Sequence, residues 1–232
     1  MALEKICYYC GERATTREHV PPKGFFPRKA NSQLKTVPSC TKHNNAKSHD
    51  DQYLLAQICI YAGAGHNLPK RIFLNSIKPQ LEFSEKFHRM IIEGAECLPS
   101  GAIAYQVNIK RFDQFFDSLS RALYFDRYGR PLDSSEYHIS HLYLSLRTED
   151  QEYVALGEYM KNWMKYFFEQ AEWSVTHYEA AKLSEVVYQH SMIDPTKGGL
   201  GSVTIAHTFY GIFNVLSLLT HKPSIGITGE SG

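Results

Sequence analysis

The sequence predicts an α+β fold: a small cysteine-bearing module over residues 1–62, then a larger α+β region, 63–232, with antiparallel strands and two long helices. Three observations carry this. Cys7, Cys10, Cys40 and His43, residue types suited to a zinc site, fall within the first forty-three positions. Two stretches, about 111–128 and 149–170, place apolar side chains at helical spacing. The segments around and after them are short, rich in β-branched and aromatic residues, and bounded by turn formers, as strands are.

Taken in order, the first forty residues are rich in turn formers and cysteine, with Val20-Pro21-Pro22-Lys23-Gly24 and Val37-Pro38 as breaks. Short extended pieces fit residues 15–20 and 34–37. A helix is expected from Thr41 to about Ala62, with Tyr53, Leu54, Ile58 and Tyr61 at helical spacing. Beyond Gly63-Ala64-Gly65, residues 78–94 suit helix and strand equally. Residues 105–109 read as a strand running into the helix 111–128, whose Phe112, Phe115, Phe116, Leu119 and Leu123 share one face. Gly129-Arg130-Pro131 ends it. Residues 137–146 read as a strand and 149–170 as a helix carrying Tyr153, Leu156, Met160, Trp163 and Phe167. Residues 173–178, 186–190 and 203–209 read as strands of a mainly antiparallel sheet, with Gly198-Gly199 in a turn before the last of them. The apolar run 209–219 suits a strand or a short helix, and the tail after Pro223 reads as loose.

Composition excludes some classes. A chain of 232 residues, 43% hydrophobic and 21% charged, has the make-up of a globular protein and not of a disordered one. No run approaches the eighteen apolar residues that span a bilayer. The opening Met-Ala-Leu-Glu-Lys-Ile-Cys lacks the apolar stretch of a secretory signal, so a cytoplasmic location is the expectation. In that setting five cysteines serve as thiols or metal ligands more readily than as disulfides. The net charge of +1 gives no argument for nucleic acid, but the first fifty residues carry nine Lys or Arg against four acids. A segment that basic suits a phosphate backbone, and suits a solvated loop-rich face equally well.

Cys7-Tyr8-Tyr9-Cys10-Gly11 has the form of a zinc knuckle, with two thiolates on a tight turn and a glycine just past the second. Its partner is Cys40-Thr41-Lys42-His43 at the start of the predicted helix. Together they offer a Cys3His tetrahedral set, which is a closed structural zinc with no open coordination position. The alternative is free thiols and a surface histidine.

Arg17-Glu18-His19-Val20-Pro21-Pro22 lies between the pairs, and Asn44-Asn45-Ala46-Lys47 follows the second. Over about residues 5–55 the chain resembles the HNH endonuclease family, and Glu-His-Val-Pro-Pro-Lys-Gly-Phe-Phe-Pro with Thr-Val-Pro-Ser-Cys looks like one bacterial branch of it. The resemblance implies a ββα-metal fold, for which strand, turn, strand, helix is the required order. It implies His19 as general base, an imidazole able to take a proton from water near neutral pH. It implies Glu18 and Asn44 as ligands of one catalytic divalent cation, Mg²⁺ or Mn²⁺. Zinc on Cys7, Cys10, Cys40 and His43 would fix the geometry. The chain departs from the family pattern in three places. Lys35 and Thr36 occupy the stretch where a middle Asn orients the base, Asn31 standing earlier. His43 stands where Cys is usual, and Glu18 where Asp is.

The function this implies is a metal-dependent endonuclease hydrolysing phosphodiester bonds, DNA favoured over RNA, with phage defence or restriction as the setting by analogy. The C-terminal region would position substrate, form a homodimer or bind a partner protein. The alternatives are a non-catalytic zinc module recognising nucleic acid or protein, and an RNA-directed, toxin-like nuclease. Among other residues, His49, Asp50 and Asp51 could approach the metal or form a solvated helix face, and Lys47 could touch a phosphate. His138, His141, His177, His190 and His207 fall on predicted strands and are expected to be satisfied sheet histidines. Cys59 and Cys97 are expected as small buried hydrophobes. Tyr124, Phe125, Tyr128, Tyr166, Phe167 and Phe168 are expected in core packing in preference to base stacking.

Overall fold

A computed structural model describes residues 5–27, 34–46, 48–63, 65–99, 103–148, 150–168, 174–180, 183–193 and 202–222. The chain is α+β with antiparallel sheets. Strands β1 (Thr16–His19) and β2 (Thr36–Ser39) form an antiparallel hairpin in which Glu18 opposes Val37 and His19 opposes Thr36. Helices α1 (Thr41–Ala46) and α2 (Ser48–Gly63) follow at once, so strand, strand, helix is the order the residues take. α2 is buried on all sides from Tyr53 to Cys59, as a helix in the middle of a core is. Tyr61, expected on its buried face, is instead 42% exposed and meets Phe213 edge-on.

Residues 67–91 are helical apart from Ser84, an extended residue that caps the last helix. Helix α3 (Asn67–Ile72) passes through one π turn, Phe73–Ile77, into α4 (Lys78–Phe83), and α5 (Glu85–Ile91) follows. This settles the ambiguity over 78–94 in favour of helix. Pro69 lies in the first turn of α3, where no intrahelical N–H bond is lost, and Pro79 lies just past the π turn. A two-stranded ladder, β3 (Glu96–Cys97) and β4 (Ile103–Ala104), precedes the long helix α6 (Ile109–Tyr128). The strand expected over 105–109 is therefore displaced. Those residues lead into the helix cap, where the Asn108 side chain accepts the Arg111 N–H at 3.3 Å and the Tyr53 hydroxyl accepts the Asn108 N–H at 2.8 Å. Gly129, at φ +69°, closes the helix in the left-handed conformation that favours glycine.

Strand β5 (Tyr137–Tyr143), helix α7 (Gln151–Phe168) and strands β6 (Ser174–Ala180), β7 (Leu183–Ile193), β8 (Ser202–Phe209) and β9 (Phe213–His221) complete the fold. The five strands form one antiparallel sheet in the order β5-β9-β8-β7-β6. The run 209–219 is thus a tight turn and a strand. Every residue of β8 is buried, which requires cover on both faces. Phe112, Phe115 and Phe116 of α6 pack on Tyr143, Phe209 and Phe213. Tyr153, Met160 and Trp163 of α7 cover Leu142, Leu144, Ala206 and Leu216.

One continuous core joins the N-terminal hairpin to the sheet. Phe25 packs 5.6 Å from Phe115 and 4.8 Å from Phe209, ring centre to ring centre. Tyr210, a non-glycine residue at φ +52° in the β8–β9 turn, donates its hydroxyl to the Phe25 carbonyl at 2.9 Å. Among the described residues no helix is long and apolar enough to cross a membrane. Lys47, Gly198-Gly199 and the tail after Pro223 lie outside the described residues, as do the side chains of His49, His177, Tyr166, Phe167 and Phe168.

Candidate metal centre

The knuckle is built by backbone bonds that turn the chain back on itself. The Cys7 N–H donates to the Glu12 carbonyl at 2.7 Å, the Gly11 N–H to the Cys7 carbonyl at 3.0 Å, and Ile6 bridges to Arg13. Gly11 takes φ +76°, a conformation that would strain a residue with a Cβ. The other two ligands come from the strand-to-helix junction. The Cys40 carbonyl accepts the Asn44 N–H at 3.0 Å, and His43, three residues on, shares its helix face with Cys40.

The four ligand atoms lie within 4.8 Å of one another, the one such group among the described residues. His43 Nδ1 is 3.2 Å from Cys40 Sγ and 3.8 Å from Cys7 Sγ. Tetrahedral zinc, with bonds of about 2.0–2.3 Å, sets its ligand atoms roughly 3.4–3.8 Å apart, so the set fits a structural metal such as zinc. The electrostatics agree. Burial works against the Cys7 thiolate, but the backbone N–H groups of Cys10, Tyr9 and Cys40 outweigh it and hold the thiol below its ordinary range. Loss of hydration, with the neighbouring Cys7, pushes Cys10 up to about 11. Burial, then Lys42, lowers His43 and favours the neutral imidazole that a metal needs.

A set of residues that the spacing did not reveal supports His43. The Tyr9 ring stacks on its imidazole, with centroids 4.3 Å apart and planes 18° apart. The Tyr9 hydroxyl donates to Asp117 of α6 at 3.0 Å, and the Arg121 guanidinium, itself on Asp117, lies 4.8 Å from the Tyr9 ring centre. Tyr9 and Asp117 are 108 residues apart, so no local pattern could have joined them.

Of the three residues expected to carry catalysis, Asn44 directly follows His43, while Glu18 and His19 lie toward the other end of the hairpin, opposite Val37 and Thr36. Glu18 is 5% exposed on the inner side of the hairpin; His19, next along, alternates to the outer side and is half-buried. Asn44 is half-buried on α1, which packs against β1. Behind Glu18 the Tyr8 hydroxyl is buried, its pKa raised first by burial and then by the charges of Glu18 and Asp51. Asp50 accepts Arg111 Nη1 at 2.7 Å and so ties α2 to α6. Where the motif would have its middle Asn, Lys35 pairs with Asp126 at 2.7 Å and gives its carbonyl to the Val20 N–H.

A cleft of about 570 Å³ opens between the metal centre and the sheet, lined by Tyr9, His43, Asp50, Asp113, Asp117 and His141 among others. Three carboxylates make it a poor seat for a phosphate. His141 and His207 are satisfied as expected: Ser217 Oγ lies 2.9 Å from His141 Nδ1 and 3.0 Å from His207 Nε2, and the Tyr188 hydroxyl 2.8 Å from His207 Nδ1. His190 departs from that expectation, since its buried Nδ1 has no hydrogen-bond partner. Cys59 is buried, but Cys97 is exposed on the short ladder, which is too thin to cover it. Tyr124 is a core residue at 3% exposure.

The chain matches no family model, no curated protein and no solved structure.

Proposed function

We propose that the chain is a metal-dependent endonuclease of the HNH type, acting on DNA in preference to RNA, in a setting such as phage defence. The observation that carries this is the Cys3His group at the foot of a hairpin whose first strand ends in Glu18-His19, with Asn44 directly after the ligand His43. Zinc in that group has four protein ligands and no open position, so its part is to hold the knuckle, β2 and α1 together. His19 takes a proton from a water whose oxygen bonds to phosphorus, and the bond to the 3′ oxygen breaks; solvent protonates the leaving oxygen. Glu18 and Asn44 offer hard oxygen donors for a divalent cation, Mg²⁺ or Mn²⁺, which when bound polarises the phosphate. The test is cleavage of plasmid and of RNA by zinc-loaded protein, with and without Mg²⁺ or Mn²⁺, against His19→Ala. Metal-dependent cutting lost in His19→Ala supports the reading, and the substrate consumed decides between DNA and RNA.

One observation favours a second reading, a non-catalytic zinc module. Glu18 is 5% exposed, a poor position from which to share a cation with a phosphate in solvent. Zinc retention with no cutting under any divalent cation would select it.

A further inference from the structure

Arg17 stands two residues before His19 on the same face of β1, by strand alternation, with its side chain exposed. Its guanidinium is pinned: Nε donates to Thr36 Oγ1 at 2.8 Å and Nη2 to the Thr36 carbonyl at 3.1 Å. Thr36 is the residue directly across the ladder from His19. The anchor therefore holds the charge on the hairpin face that His19 shares, against the residue opposite it.

What the anchor leaves unused is informative. Nε and Nη2 form one edge of the planar group, and Thr36 occupies that edge. The remaining edge, Nη1 with the second N–H of Nη2, is the fork that accepts a phosphate bidentately. Among the described residues no carboxylate pairs with Arg17, whereas Arg71, Arg89, Arg111 and Arg121 each rest on one; Arg127, Arg130 and Arg147 are also without a carboxylate, but only Arg17 is pinned at two points by a neutral residue. An arginine fixed by neutral groups and left without a counter-charge is preorganised for an anion from outside. The nearby cleft, with three carboxylates, is not.

We infer that the outer face of the β1–β2 hairpin is a phosphodiester-binding site, in which the free edge of Arg17 clamps a backbone phosphate of DNA beside His19. The inference rests on the nuclease reading for its choice of ligand. The clamp grips the ground-state phosphate and sets its distance from the imidazole, so it acts on binding as well as on rate.

The experiment is a fluorescence-anisotropy titration of a labelled DNA duplex, and of RNA of the same sequence, with full-length zinc-loaded His19→Ala protein over a range of KCl. Adding Arg17→Ala is expected to weaken binding about tenfold and to reduce the slope of log K against log[salt] by about one. Arg17→Lys should restore the slope but not the full affinity, because an ammonium cannot fork. Thr36→Val, which keeps the charge and removes one anchor, should weaken binding in the same direction. Unchanged affinity and slope in Arg17→Ala, with zinc content intact, would overturn the clamp; so would wild-type chain that binds neither nucleic acid. Cutting that depends on His19 but ignores Arg17→Ala also overturns it and leaves the nuclease standing. An Arg17-dependent slope in a protein that cuts nothing keeps the clamp and removes the nuclease. A steeper Arg17 effect with RNA keeps the clamp and changes its substrate.

Discussion

Tyr9 shows how a single side chain can couple a metal site to a helix. It stacks on His43 and hydrogen-bonds Asp117, so it touches both the ligand and α6. Tyr9→Phe keeps the stack and loses a hydrogen bond to a charged group, which is expected to cost about 1.5–3 kcal/mol in urea unfolding. Cys10→Ser or His43→Ala removes one of the four residues that could hold a metal; the wild type is expected to purify with about one zinc per chain and the variants with less, measured by elemental analysis, and the variants to melt lower. The ligands themselves were legible in the sequence, because two pairs at finger spacing place thiolates and an imidazole on a turn and a helix start. Tyr9, Asp117 and Arg121 were not, since their partnership depends on where α6 crosses the knuckle. The burial of Glu18 and the anchoring of Arg17 on Thr36 were not legible either, because both depend on register.

Helix α6 was the most legible element. Phe112, Phe115, Phe116, Leu119 and Leu123 recur at three- and four-residue intervals, and all five are buried. Phe116 meets Tyr143, His207 and Phe209, so Phe116→Ala should cost about 3–5 kcal/mol, read as a shift in the urea midpoint with little change in slope. α3 was not legible. Gly63-Ala64-Gly65 and Pro69 look like interruptions, yet Pro69 sits in a first turn that tolerates it. A helix over about 41–62 was readable, and α1 with α2 takes up that stretch, but the all-round burial of α2 was not, because periodicity assigns a face only when one side meets water. The turn into β9 turns on Tyr210, whose positive φ is offset by its bond to Phe25. Tyr210→Phe leaves that carbonyl without its donor and is expected to destabilise by about 1–3 kcal/mol in the same assay.

At the scale of the molecule, three histidines within the sheet set its acid limit. Burial lowers His141 and His190 to about 4 and puts His207 well below its ordinary range. Each is neutral when folded and would bind a proton when unfolded below about pH 6.5. The unfolded chain therefore binds more protons, and stability rises with pH across this window. It should be complete above about pH 6.5 and lost progressively as pH falls toward 4. Urea midpoints measured every half unit between pH 4 and 7 check this; a flat profile would contradict it. Residues 1–62 expressed alone leave Phe25 without Phe115 and Phe209, and are expected to bind zinc but to show poorly dispersed amide resonances in NMR. The order of strands carries a further implication for synthesis. β5 lies beside β9, yet about seventy residues separate them in the chain, and β9 comes last. On the ribosome, β5 has no neighbour until the final strand emerges, so the sheet closes late and slowly. Until then the Cys3His group can already assemble, while Phe25 waits for the rest of the chain to cover it.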